Sequence, residues 1–303
     1  MSASTGLQQH REGLTTSQHD WTMVEAGKLV ANQNVVIIDS NASVEDACEV
    51  LLKNKVSSAP VYDGQHKLYV GMFDYSDLMT YILLALRKME VPPEDQTVHM
   101  RDLIQKTTMS QNVPVKLAAV AVMDSAGDLT GILSQSSTLD YLMRHLSEFP
   151  QLQPMMQQTL QQCGLLTNTK VLSVKADDKV LDALITMSTH SVSSLAVLDD
   201  QGILLGNISM TDIQYIMRNL KASWLWLSSF QFMSKIRLER GVETGEDQYP
   251  VLDVNSKSTF GYTLSKLQAT KVHRLWVVND SGAVVGVVSL TDVFRILGTL
   301  VAP

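Results

Sequence analysis

Cysteine is scarce in this chain: Cys48 and Cys163 are the only two among 303 residues. Neither lies in a CxxC pattern or at a spacing from histidine that would hold a metal, and both have apolar neighbours. A disulfide framework and a zinc module are therefore excluded, and both thiols read as small buried hydrophobes in a reducing compartment. Long apolar runs are missing as well. The longest, Leu78 to Leu86, is about half of the ~20 residues that a membrane-crossing helix needs. Met1 to His19 is polar where a secretory leader would be apolar. Basic residues are not in excess, since the formal net charge is −7. That argues against nucleic-acid binding, though not against a small phosphorylated ligand needing one or two local cations. There is no GxSxG, no Walker-type loop and no HExxH, and the run from Ser134 to Ser137 carries no base. These absences leave a soluble, intracellular protein that is not an enzyme and has neither nucleic acid nor membrane as a partner.

What is present is a core and a repeat. Hydrophobic residues make up 45% and charged residues 18%, enough for about two ordinary domains and against wholesale disorder. Four segments share one grammar: an apolar strand, an Asp/Gly turn, a second strand through a glycine, and a polar step into a helix. The polar steps read GMFDYSD from Gly71 to Asp77, GILSQSS from Gly131 to Ser137, GNISMTD from Gly206 to Asp212 and GVVSLTD from Gly286 to Asp292. Asp and Gly tolerate the positive φ that a short hairpin requires. Upstream, Val44, Ala47 and Leu51 fall at helical spacing, as do Val180, Leu184 and Met187, with Leu181 and Ile185 widening the stripe. Downstream, Leu78, Ile82 and Ala85 predict a second helix, as do Ile213, Ile216 and Leu220. Each copy thus runs strand, helix, strand, strand, helix.

Spacing singles out one copy. From the first strand's valine to the glycine there are 36 residues in copy one (Val35 to Gly71), and 35 in copies three and four (Val171 to Gly206, Val251 to Gly286). In copy two, from Val115 to Gly131, there are 16. About a helix and the start of a strand are gone there. Either that helix is absent or residues are omitted, and a sheet without it would expose its core face, which favours omission. Between the pairs, Ser147 to Gly164 holds two prolines and six glutamines, with Leu152, Met156 and Leu160 spaced for a packed helix. Lys235 to Gln248, charged and glycine-containing, reads as a loop. Thr22 and Glu25 fit a capping box that opens a helix.

A repeat of this order and length, with Gly-x-x-Ser-x-Thr-Asp before its last helix, resembles the CBS domain. CBS domains pair into Bateman modules, and four of them resemble the gamma subunit of AMP-activated protein kinase. Copy four carries the resemblance furthest, in TKVHRLWVV from Thr270 to Val278 and in GVVSLTD. The polar Ser/Thr/Gln-rich start is similar to the fungal Sds/Moc group. The resemblance implies an α/β (α+β) fold of four βαββα repeats in two Bateman modules forming a flattened disc. The expected divisions are a disordered tail (1–20), module one (21–146, with repeats at about 21–90 and 97–146), a linker (147–166) and module two (167–303, with repeats at about 167–222 and 249–300).

In CBS pairs the ligand lies in a cleft between two domains. The aspartate before the last helix takes both ribose hydroxyls, and the hydroxyl three residues earlier faces the phosphate. The resemblance places these roles on Asp292 with Ser289 and Thr291, and on Asp212 with Ser209 and Thr211. Asp77 matches the aspartate, but Asp74 in the hydroxyl position would repel phosphate. Ser137 takes the aspartate's place in copy two. His273 and Arg274 match a phosphate-contacting pair, with Ser194 in the corresponding place in copy three, and Thr167 and Leu172 match a segment lining an adenine pocket. A plain N-cap is the ordinary role of such aspartates: it outweighs ligand binding at Asp77, balances it at Asp212 and yields to it at Asp292. His145 and His190 read as surface or satisfied residues. The Trp224 to Leu227 cluster reads first as packing and second as a partner surface. The implied ligand is an adenine nucleotide, AMP, ADP or ATP. The implied partner is a type 2A-like phosphatase in the cytoplasm and nucleus, restrained in cell-cycle and nutrient control. Kinase subunits, or a nucleotide-free scaffold, are the alternatives.

Overall fold

The computed structural model describes residues 23–89, 119–166, 171–218, 222–244 and 252–299. A short helix α1 (Ala26–Leu29) precedes the first repeat: β1 (Ile38–Asp39), α2 (Val44–Asn54), β2 (Ser58–Asp63), β3 (Leu68–Asp74) and α3 (Tyr75–Met89). The second unit holds β4 (Ala119–Met123), β5 (Leu129–Ser134) and α4 (Gln135–Arg144), and the short α5 (Gln153–Met156) follows. The third repeat is β6 (Ser173–Lys175), α6 (Val180–His190), β7 (Ser194–Leu198), β8 (Leu204–Ser209) and α7 (Ile213–Arg218). Helix α8 (Ser229–Thr244) stands between repeats. The fourth is β9 (Asp253–Asn255), α9 (Phe260–Thr270), β10 (Arg274–Val278), β11 (Val284–Ser289) and α10 (Leu290–Thr299).

The sheets repeat one design. In repeats one, three and four a first strand runs parallel to the middle strand, which pairs antiparallel with the last, and among the described residues the second unit has only the antiparallel pair. Each hairpin has an irregularity beside the residue opposite the repeat glycine: Val61 faces Gly71, Val122 faces Gly131, Val197 faces Gly206 and Val277 faces Gly286. The turns are built on an Asx side chain, as when Asp199 Oδ1 accepts from the backbone N–H of Gln201 and Ile203 at 2.9 and 2.8 Å. Gly127, Gly202 and Gly282 supply the positive φ in three turns. In copy one the left-handed residue is Lys67 rather than Gly64. The first helices of copies one, three and four all end on a left-handed residue, Lys55, Ser191 and Lys271.

Two cores form, and neither belongs to one half of the chain. Leu51, Leu78 and Ile82 of the first repeat pack with Leu184, Leu195 and Ile216 of the third. Leu139 and Leu142 of the second pack with Phe260, Leu264 and Leu297 of the fourth. Gln268 Nε2 donates to Asp140 Oδ1 at 3.1 Å across that second seam. First and second units meet where Val30 lies over Gly131 and Gln33 Oε1 accepts from the Ile132 N–H at 2.8 Å. A Cβ on Gly131 would come within 2.4 Å of Val30 Cβ, so only glycine allows that approach. Third and fourth meet through a bridge between Ile203 and Ala283. The four units thus close a ring of contacts.

Several local expectations change. Lys235 to Thr244 is helical, the second half of α8, rather than loop. Its buried stripe is narrow, Phe232, Met233 and Ile236, with charges elsewhere. Ile185 is exposed and does not widen the α6 stripe, because the buried face turns through Val180, Ala183, Leu184 and Met187. Leu152, Met156 and Leu160 are buried, but on two short turns and a bridge from Thr159 to Thr259 rather than one helix. Helix α1 starts after Glu25 with no side-chain cap, and Thr22 lies outside the described residues. Trp224 and Leu225 are buried, so that cluster is core rather than a partner surface. Both cysteines are buried thiols. Among the described residues no helix is long and apolar enough to cross a membrane.

Candidate functional site

The polar step of each repeat is a helix cap. Asp74 N–H donates to Asp77 Oδ2 at 3.0 Å, Ser134 N–H to Ser137 Oγ at 2.9 Å, Ser209 N–H to Asp212 Oδ2 at 2.8 Å and Ser289 N–H to Asp292 Oδ2 at 3.0 Å. Three return bonds are also present, to Asp74 Oδ1 from the Asp77 N–H and to the serine hydroxyls at 134 and 289 from the N–H of Ser137 and Asp292. Capping therefore uses Oδ2 of each aspartate and leaves Oδ1 for something else. Asp292 Oδ1 takes Arg295 Nη1 at 2.9 Å, a pair on the surface that costs little to exchange. Asp212 Oδ1 takes Arg240 Nη2 at 3.0 Å in a buried setting, and Arg240 Nε donates to the Tyr215 hydroxyl at 2.9 Å. Burial pushes the Asp212 carboxyl above its ordinary value, and the Arg240 charge and Ser209 donors pull against it. Asp77, pushed up to about 6 by burial and by the neighbouring Asp74 charge, is the odd member.

A cavity of about 490 Å³ opens beside Asp212. Ser194, Ser209, Thr211, Asp212, His273 and Arg274 all line it. Asp292, Ser289 and Thr291 do not, and Thr291 instead contacts Gln135 of the second unit at 3.1 Å. The link between the two aspartates is Arg274, which lines the cavity, hydrogen-bonds Ser193 Oγ and lies within the electrostatic reach of Asp292. Desolvation lowers the Arg274 guanidinium, with Asp292 opposing, and lowers the His273 imidazole, assisted by the Arg274 charge. Ser194 Oγ is buried without a hydrogen-bond partner, a state that a ligand would relieve. Leu172 packs on the first core, and Thr167 lies outside the described residues. Among the described residues no group of three or more His, Cys, Asp or Glu side chains could hold a metal ion.

Three stretches match the CBS domain: 26–84, 164–219 and 248–299. The chain belongs to the CBS-domain family. The second unit is not matched, in keeping with its short spacing, yet it keeps the hairpin and helix of the others. The chain is 32% identical over 324 aligned positions to protein SDS23 of Kluyveromyces lactis, taking in 91% of this chain and 62% of that protein. Protein SDS23 of Saccharomyces cerevisiae is 29% identical, over 88% of this chain and 58% of its own. The chain thus spans about six tenths of these relatives' length. In fold it is similar to a crystal structure from Methanocaldococcus jannaschii, proposed as an archaeal homologue of the AMPK gamma subunit, with a TM-score of 0.67 over 90% of this chain and 14% identity.

Reasoning from the repeat alone confines each cleft to one pair, so it misses about a third of the cavity wall. Lys55 and Ser57 come from the first repeat, and Met233, Ile236, Arg237 and Arg240 come from α8. A signal for α8 exists in the sequence. Ser228 and Gln231 form a reciprocal cap, with the Gln231 N–H reaching Ser228 Oγ at 3.2 Å and the Ser228 N–H reaching Gln231 Oε1 at 3.3 Å.

Proposed function

We propose that this chain is a non-catalytic regulatory protein that binds an adenine nucleotide between its third and fourth repeats, within two modules divided at 147–166. The sugar is held at Asp292 and the phosphate end points into the cavity past Arg274. The observation that carries this reading is the convergence of Arg274, His273 and the unpartnered buried hydroxyl of Ser194 on one cavity wall, next to a capping aspartate whose second oxygen is held only by a surface arginine. A carboxylate oxygen with an exchangeable partner suits a sugar hydroxyl, and a guanidinium fork suits phosphate. Calorimetry tests the reading. Asp292→Ala should weaken AMP by about 1.5–3 kcal/mol, the range for hydrogen bonds to a charged group. Arg274→Ala should weaken AMP more than adenosine, and equal losses for the two ligands would reduce Arg274 to a packing role.

The nucleotide acts by preferring one arrangement of the four repeats. Similarity to the SDS23 proteins supports a place in the fungal group resembled by the sequence, and with it restraint of a type 2A-like phosphatase in cytoplasm and nucleus. Pull-downs with phosphatase and kinase subunits side by side separate the partners. Stable recovery of kinase chains alone would replace the phosphatase by the kinase reading.

A further inference from the structure

The cavity carries more positive charge than one phosphate monoester calls for. Lys55 enters from the first repeat, Arg237 and Arg240 from α8, and Lys271 and Arg274 from the fourth repeat, against one carboxylate among the described residues, that of Asp212. Arg240 and Asp212 neutralise each other. Arg274 hydrogen-bonds a neutral hydroxyl, that of Ser193, and is balanced only by Asp292, which lies outside the cavity lining. Among the described residues the side chains of Lys55, Arg237 and Lys271 have no ion-pair or hydrogen-bond partner. Three cations without a partner among the described residues therefore face one cavity beside Arg274, in a chain whose net charge is −7. Like charges gathered this way repel one another, and a multiply charged anion removes that cost.

A lysine ending a helix is ordinarily explained by the helix dipole. That accounts for Lys55 or Lys271 singly, but not for two helix ends from different halves of the chain aimed at one space, nor for Arg237. Asp212 adds a second constraint. Its Oδ2 caps α7's leading turn and its Oδ1 is engaged by Arg240, so no carboxylate in this cavity is left to accept a ribose hydroxyl. Recognition here falls to the cations.

We propose that the cavity recognises a linear run of three or more phosphates, so that the site takes a nucleoside triphosphate in preference to a monophosphate, with Lys55, Arg237 and Lys271 as the residues that set this preference. Helix α8, which lies outside the repeat, makes the selection possible twice over. Arg240 covers the aspartate that would repel the outer phosphates, and Arg237 adds a charge to receive them. The ligand then spans the first repeat, the insert and the fourth repeat, so that it ties the two halves of the chain together. The preference rests on the reading above only in that the phosphates enter this cavity; it does not need the adenine.

The experiment is calorimetry on the full chain with AMP, ATP and inorganic tripolyphosphate. ATP is expected to bind at least about tenfold tighter than AMP, the equilibrium factor for one charged hydrogen bond gained. Tripolyphosphate should displace ATP. Lys55→Ala and Arg237→Ala, both at exposed positions, should each remove about tenfold of ATP affinity while changing AMP by less than about twofold. ATP no tighter than AMP would overturn the proposal and leave the adenine-nucleotide reading standing. Tripolyphosphate as tight as ATP, with adenosine inert, would keep the proposal and remove the adenine. No binding of any of the three would end both. Unchanged ATP affinity in both variants, with melting temperatures equal to the parent, would assign the selectivity elsewhere and refute the role of these cations.

Discussion

An aspartate at the start of a helix looks, in sequence, like either a cap or a ligand contact. The side chain has two oxygens, and the structure divides them. Oδ2 caps at Asp77, Asp212 and Asp292 alike, and the difference between the three lies in what holds Oδ1. That difference was not legible, because Arg240 belongs to an insert with no counterpart in the other repeats, while Arg295 is one turn along the same helix. What was legible is the weakness of copy one. Asp74 stands where the others carry serine, and its charge adds to burial, the larger cause, in raising the Asp77 carboxyl. The consequence is a pH dependence whose sign is fixed. The folded value near 6 lies above the unfolded value of 3.8, so the folded state holds the proton more tightly. The associated stability is fully present below about pH 4 and lost as pH rises through about 6. In Asp77→Asn the amide still caps Asp74 but no longer ionises. Its melting temperature should match the parent near pH 4 and exceed it at pH 7, and parallel curves across that range would show that Asp77 has no such shift.

At the scale of elements, the periodic segments are the ones the sequence announced. Helical spacing located α2, α3 and α6, because each has a broad apolar face turned to one core, and the repeated grammar located the four hairpins. Helix α8 escaped because it buries only a narrow stripe and shows charge on its remaining surface. The second unit packs its hairpin differently from the others. Val120 of β4 occupies the register position of Ala59, Leu195 and Leu275, opposite Leu133. The latter three are completely buried, whereas Val120 is 59% exposed. A first helix covers the middle strand in repeats one, three and four, and among the described residues the second unit has none. Truncating equivalent positions should therefore give unequal results. Leu195→Ala should destabilise by about 2–5 kcal/mol through lost burial and a cavity, and Val120→Ala should change stability by no more than about 0.5 kcal/mol. Urea titration measures both, and a large loss at Val120 would mean that this face is covered.

At the scale of the molecule, sequence repetition suggested two modules joined by a linker, each a unit in its own right. The cores run the other way, first repeat with third and second with fourth. Repetition reveals which segments are alike but not which faces they share, since all four carry similar apolar stripes. The joint itself is part of a core: Phe149, Leu152 and Leu160 are buried in it, and the Phe260 N–H donates to the Gln158 carbonyl at 2.8 Å. Residues 1–146 and 167–303 produced separately should each expose an apolar seam. We expect broad elution on size exclusion and dye binding for either fragment alone, and one sharp peak at the combined mass after mixing. Two well-behaved monomers that ignore each other would contradict the shared cores.

The contact of Val30 and Gln33 with β5 has a consequence for how the protein is made. Gln33 and its partner Ile132 are 99 residues apart, and a ribosome adding about 5–20 residues per second needs about 5–20 s to cover that distance. Leu166 waits in the same way for Gly286, where a Cβ added to the glycine would meet Leu166 Cδ2 at 3.4 Å. The opening segment of each half thus leaves the tunnel well before its docking surface exists, and for that interval its apolar side is bare. Slow codons placed between the two partners lengthen the wait and raise the yield of aggregated nascent chain, whereas slow codons after Ile132 give the first pair time to close before the second begins.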